Sequence, residues 1–230
     1  MSSLPGVFVK ICGLTSEEDA LLAVAMGADA VGFIFAPSAR QVAPQKVADI
    51  VKRLPVDITT VGVFKDEAAQ RVVDIVTHTG LRAAQLHGFE SPNEARWVRQ
   101  RVRTVFKVFP AGDPRLDHAD DWGADVIMID NATPGSGEVF DWSLAEGAPA
   151  NRRILLAGGL TPANVGDAIR TVKPWGVDVA TGVESSPGHK DARKLKAFID
   201  AARAAARQVE APPYEGDATD RPFDWADDLS

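Results

Sequence analysis

A closed (β/α)8 barrel is the fold class that this 230-residue chain predicts, and three observations predict it. Eight short apolar runs rich in β-branched residues alternate with helical patterns. Their starts fall 21 to 29 residues apart, a spacing that suits one strand, one helix and two loops per unit. Several runs (VGFIFA, VIMID, ILLAGG) are apolar almost throughout, as parallel strands covered on both faces are. Eight such units in about 200 residues give a single TIM-type barrel near the lower end of its size range. An open doubly wound sheet is the alternative. It normally carries a Gly-rich dinucleotide fingerprint after its first strand, and Lys10-Ile11-Cys12-Gly13-Leu14 has none.

The strands are expected at Val7–Gly13, Ala30–Ala36, Thr59–Lys65, Ala83–Gly88, Thr104–Pro110, Val126–Asn131, Arg153–Gly159 and Gly176–Gly182. Thr15 or Ser16 can cap the first helix. Glu17, Glu18 and Asp19 follow in the first turn, where a helix dipole favours acids. Pro44, Pro92, Pro114 and Pro162 each sit near a helix start, where a missing N–H costs little. Thr161-Pro162 reads as a cap followed by Pro at the first helical position, and the last helix runs from Ala192 to Gln208. Phe140–Ala145 is the weakest helical pattern of the set.

Residues 1–208 therefore form one catalytic-sized domain, and residues 209–230 an acidic tail. The last 23 residues hold seven acids and one base, so they carry −6 of the net charge of −7. Their Pro-rich, aperiodic composition reads as disordered. The body is nearly neutral and has no clustered positive charge, which excludes a nucleic-acid footprint. One cysteine excludes a disulfide framework and a Cys-rich zinc module. The apolar runs are far shorter than the ~20 residues that span a bilayer. The opening MSSLPGVFVK shows no apolar signal core, so a soluble cytoplasmic protein is expected.

In such a barrel the C-terminal strand ends and their loops form the site. Cys12 ends the first strand. Alone it reads as buried filler or as a general base, and Lys10 shares its strand face and could support a thiolate. Asp130 ends a run with no other charge, where desolvation would suit a general acid, although an Asp can also cap the next turn. Gln85 and His87 alternate at the end of strand four, and Asp178 lies on strand eight. Gly158-Gly159 and Thr181-Gly182 look like a phosphate cradle, since glycine lets backbone N–H groups approach an anion. Ordinary strand-to-helix turns are the plain alternative. Arg40, after strand two, could pair with a carboxylate or lie solvated at the surface. No His or carboxylate spacing resembles a metal site. Trp97, Trp122, Trp142 and Trp175 read as packing residues.

The stretch KICGLT at 10–15 resembles the opening strand of the phosphoribosylanthranilate isomerase family. So do GADAVGFIF at 27–35, VGVF at 61–64, QLHG at 85–88, FDWSL at 140–144, AGGL at 157–160 and VDVATGVE at 177–184. The resemblance covers roughly residues 7–200. It implies a cofactor-free Amadori rearrangement of a phosphorylated aminosugar in tryptophan biosynthesis, with no metal. It implies that Asp130 is the general acid on the ribose ring oxygen and Cys12 the base at C2′. Arg40 would face the anthranilate carboxylate. Lys10, Gln85, His87 and Asp178 would be further substrate contacts, and Gly158, Gly159, Thr181 and Gly182 would hold phosphate. The sequence departs from many relatives in a short loop at 130–137 and in Ala157 and Ala180, where Ser is common. A related histidine-pathway isomerase runs the same chemistry with an Asp in place of Cys12. A non-catalytic phosphosugar-binding barrel is the other class. A monomer or weak homodimer is expected. The tail is read as solvated, with docking to another enzyme as the alternative, since Phe223-Asp224-Trp225 repeats Phe140-Asp141-Trp142.

Overall fold

The computed structural model describes residues 6–130 and 152–209. Eight parallel strands close into a barrel in sequence order: β1 (Phe8–Ile11), β2 (Ala30–Ile34), β3 (Thr59–Phe64), β4 (Ala83–Leu86), β5 (Thr104–Pro110), β6 (Val126–Asp130), β7 (Arg153–Leu156) and β8 (Gly176–Val179). Closure is made by β1, where Lys10 stands opposite Ala30 of β2 on one side and Asp178 of β8 on the other. Outside them pack α1 (Glu17–Ala25), α2 (Pro44–Val51), α3 (Ala69–Thr79), α4 (Pro92–Arg99), α5 (Val165–Val172) and α6 (Ala192–Ala206). No helix of the described residues is long and apolar enough to cross a membrane. The expected helix at Phe140–Ala145, the loop at 131–137, both Phe-Asp-Trp triplets and the tail beyond Val209 lie outside the described residues.

Alternation along the strands divides the core in two. Val9, Ile11, Val31, Phe33, Ile127, Ile129, Leu156 and Val177 belong to the larger apolar cluster between strands and helices. Ala30, Val61, Ala83, Phe106, Val108, Val126, Met128, Leu155 and Ala157 fill the smaller cluster inside the barrel. Strand positions of that second parity point inward. They include Lys10 on β1 and Cys12 just beyond it, Gln85 on β4 and His87 just beyond it, Asp130 on β6 and Asp178 on β8.

Local chemistry sets the helix ends. Ser16, rather than Thr15, caps α1: its Oγ accepts from Asp19 N at 3.1 Å, while Thr15 Oγ1 donates to Gly188 O at 2.6 Å. Ser91 and Glu94 form a reciprocal capping box on α4. The strand ladders are shorter than the apolar runs suggest, so Cys12, His87, Gly158 and Gly159 lie just beyond their strands.

Three expectations are corrected. Pro162 does not begin a helix. Asn164 Oδ1 accepts from Thr161 N at 2.7 Å, this turn occupies the expected capping position, and α5 starts at Val165. Pro114 begins a 3₁₀ segment, Pro114–Trp122, kinked at His118, rather than an α-helix. Thr181 and Gly182 do not extend β8: Thr181–Val183 is a 3₁₀ turn, and a small hairpin of β9 (Glu184–Ser186) and β10 (His189–Lys190) precedes α6.

One buried ion pair lies outside the barrel wall. Lys107 is fully buried on the outer face of β5. Its Nζ donates to Glu90 Oε2 at 2.7 Å, to Gly88 O at 2.7 Å and to Leu86 O at 3.4 Å. Glu90 in turn accepts from the Gly88 and Asp66 backbone N–H groups. The pair thus shapes the loop after β4. Glu90→Ala leaves the ammonium buried without a counter-charge. The expected loss is about 3 kcal/mol, or roughly 10 °C in Tm for a chain of this size, read by thermal unfolding. Val56→Ser, at a position 83% exposed, is the control that should leave Tm within about 2 °C.

Candidate active site

The inward-facing polar residues meet at the C-terminal mouth of the barrel. Lys10 is wholly buried and its Nζ donates to Asp178 Oδ1 at 2.8 Å, 168 residues away in sequence. Burial alone would pull the Lys10 ammonium down, but Asp178 and Cys12 outweigh it and hold its pKa above the ordinary lysine value. Cys12 is 5% exposed. Burial pushes its thiol up, Lys10 pulls against that, and Asp178 adds to the rise, so the thiol titrates above its usual range. Gly32 of β2 leaves room for this group: a Cβ there would lie 2.9 Å from Cys12 Sγ and 3.2 Å from Lys10 Nζ.

Two further sides of the mouth are built from other strand ends. At the end of β4, the Gln85 amide nitrogen lies 3.3 Å from His87 Nδ1, and His87 Nε2 lies 3.2 Å from Asp130 Oδ2. After β2, Arg40 pairs bidentately with Glu184, Nε to Oε1 at 2.8 Å and Nη2 to Oε2 at 2.7 Å. Arg40 does form the forked carboxylate pair that its residue type suggests, but with a carboxylate of its own chain. Glu184 is desolvated, yet Arg40 and Lys190 hold its carboxyl below the usual range. Lys190, also buried, donates to Cys12 O at 2.7 Å, Ala180 O at 3.0 Å and Glu184 Oε1 at 3.1 Å. It ties the end of β1 to the end of β8.

The Gly158-Gly159 backbone takes φ of +86° and +68°, consecutive left-handed conformations that side chains resist. Gly182 meets this loop so closely that a Cβ would lie 1.9 Å from Leu160 O. The loops after β7 and β8 therefore form one surface, partly open, with Gly159 and Thr181 exposed. Lys10, Arg40 and Lys190 stand with Asp178, Glu184 and Asp130 around the mouth, three cations to three carboxylates. No group of three or more His, Cys, Asp or Glu among the described residues could hold a metal ion.

All eleven residues singled out in the sequence lie at or just below this mouth. Glu184, Lys190 and Gly32 were missed. The signal for Glu184 was a charge directly after Gly182-Val183, beside a proposed anion loop, which demands a nearby cation. Lys190 gave none.

A (β/α)8-barrel enzyme with its polar residues gathered at the C-terminal mouth is the class that this fold and site define. The family model for N-(5′-phosphoribosyl)anthranilate isomerase matches residues 9–201. The isomerase of Desulforudis audaxviator is 46% identical over 201 residues, covering 86% of this chain and 98% of that one. The crystal structure of the Thermus thermophilus isomerase aligns with TM-score 0.79 at 38% identity, over 85% of this chain and 98% of that one. An isomerase structure in complex with reduced 1-(o-carboxyphenylamino)-1-deoxyribulose 5-phosphate aligns with TM-score 0.76 at 38% identity, over 86% and 99%. The chain belongs to the N-(5′-phosphoribosyl)anthranilate isomerase family, and it is an enzyme of tryptophan biosynthesis.

The raised thiol has a direct readout. Alkylation of Cys12 by iodoacetamide requires thiolate, so its rate should climb with pH to a midpoint above that of a free cysteine peptide. Lys10→Met removes the cation that opposes the rise and should move the midpoint higher still. A midpoint below that of the peptide contradicts this electrostatic picture.

Proposed function

We propose that this chain catalyses the Amadori rearrangement of N-(5′-phosphoribosyl)anthranilate to 1-(2-carboxyphenylamino)-1-deoxyribulose 5-phosphate, with Asp130 as general acid and Cys12 as general base. The observation that carries the reading is the placement of Cys12 and Asp130. Both point into one mouth from β1 and β6, between a forked arginine and a paired-glycine loop. Asp130 gives a proton to the ribose ring oxygen, and the C1′–O bond breaks as the nitrogen lone pair forms a Schiff base. Cys12, as thiolate, takes the proton from C2′. The resulting enolamine ketonises at C2′ while C1′ gains a proton, so the sum is an isomerisation that consumes nothing.

The substrate is anionic at both ends, and the mouth suits that. The phosphate would rest on the backbone of Gly158, Gly159, Thr181 and Gly182, where glycine permits close approach. The anthranilate carboxylate would take the guanidinium edge of Arg40 that Glu184 leaves open. Asp178 keeps Lys10 charged beside Cys12, so its role is to support the base. A substrate held at both ends loses the freedom that otherwise opposes reaction.

The test is consumption of phosphoribosylanthranilate followed by fluorescence. Cys12→Ser and Asp130→Asn should each lower kcat by about 10²–10⁴-fold, the usual contribution of a proton-transfer group, with much smaller changes in KM. Wild-type turnover that survives both substitutions would remove these two residues from the mechanism. Absence of turnover in the folded wild type would favour the histidine-pathway substrate or a binding role.

A further inference from the structure

We infer that Gln85 is a positioning residue that selects the tautomer of His87, and through it the orientation of the acid Asp130. The inference rests on the reading of Asp130 as the acid.

The side chains form a chain of contacts: Gln85 Nε2 to His87 Nδ1 at 3.3 Å, then His87 Nε2 to Asp130 Oδ2 at 3.2 Å. An amide nitrogen can only donate, so Nδ1 accepts and carries no proton. A neutral imidazole then has its proton on Nε2, directed at Asp130. One consequence follows. The Nδ1–H tautomer is disfavoured. In that form Asp130 would spend its acid proton on Nε2 instead of on substrate.

With Nε2–H donating to Oδ2, the acid proton belongs on Oδ1. Once it is delivered, the new carboxylate already holds a hydrogen bond from His87. That bond strengthens as charge develops on the carboxylate, so it favours the transition state over the ground state. Gln85 is 1% exposed, and its Oε1 is the one buried side-chain polar atom without a partner among the described residues. The amide leaves its own acceptor unpaired while its nitrogen faces His87.

Other ionisable groups around the mouth are engaged elsewhere. Lys10 pairs with Asp178, Arg40 and Lys190 pair with Glu184, Lys107 pairs with Glu90, and Arg115 pairs with Asp113. Asp66 accepts from Phe89 N, and Cys12 lies beside Lys10. Among the described residues, Asp130 is the ionisable side chain whose contact with His87 is seen.

The test reads the imidazole directly, by nitrogen-15 NMR of the full chain, with His87→Asn identifying the signal among four histidines. In its neutral form, His87 of wild type should carry its proton on Nε2. Gln85→Glu places an acceptor at Nδ1 and should move a proton there. It should lower kcat by about tenfold or more, part of the range for a general acid, shift the acid limb of the kcat profile, and change KM far less. Gln85→Met, which has neither donor nor acceptor, should give a tautomer mixture and an intermediate kcat. A wild-type proton on Nδ1 overturns the inference. So does a moved tautomer with unchanged kcat and pH profile. The tautomer is read without substrate, so a wrong assignment of Gln85 is distinguishable from a wrong reading of the activity, which would show as no turnover in wild type.

Discussion

Charge inside a closed barrel has little water to solvate it, so each charge at the base of this mouth is held by its opposite. Lys10 needs Asp178, and Lys190 needs Glu184, which also holds Arg40. Breaking one partner of such a pair costs about 3–5 kcal/mol, whereas an apolar replacement of both is often tolerated. Their presence is therefore better explained by what they position than by stability. Lys10–Asp178 sits at the β1–β8 seam, where the barrel closes. Glu184 and Lys190 reach from the hairpin after β8 to Arg40 and to the carbonyls of Cys12 and Ala180. Cys12, the forked arginine and the glycine surface share one electrostatic frame, so moving one group disturbs the rest.

That frame depends on backbone as much as on charge. A guanidinium and two ammonium groups fit together only because the walls beside them are thin. Gly32 gives Cys12 and Lys10 their space, and Gly182 lets the loop after β8 lie against Leu160. A side chain at either place would push Cys12 and Lys10 aside or part the two loops. Gly158, Gly159 and Gly182 leave backbone in these loops uncovered by side chains, which lets a ligand approach it closely.

The barrel was legible because its signal is repeated. Eight apolar runs at steady spacing, each long enough to be a strand and too short to be a helix, leave few architectures. Inward-pointing residues were also legible, since strand parity follows from the sequence once one residue is placed. What escaped is of another kind. The strands Glu184–Ser186 and His189–Lys190 are three and two residues long and carry no pattern. The partners of Lys10 and Arg40 lie 168 and 144 residues away, and nothing local announces them. Pro162 misled because Asn164 bonds back to Thr161 and delays the helix. Pro is compatible with that turn as well as with a helix start.

In the proposed mechanism, the raised thiol of Cys12 bears on the kind of base it can be. A thiol that titrates above its usual range is scarce as thiolate at neutral pH, which works against catalysis. The same shift makes each thiolate a stronger base towards a carbon acid. Brønsted behaviour balances these two effects best when the pKa lies near the working pH. Burial moves Cys12 away from that point, and Lys10 moves it back, but Lys10 is shared with Asp178. A cation divided between two anions stabilises the thiolate less than a dedicated one would. It remains able to lean towards sulfur as charge develops there. Asp178 thereby limits how acidic the thiol becomes. The buried carboxylate keeps Lys10 charged without letting it turn Cys12 into a permanently ionised, weakly basic thiolate.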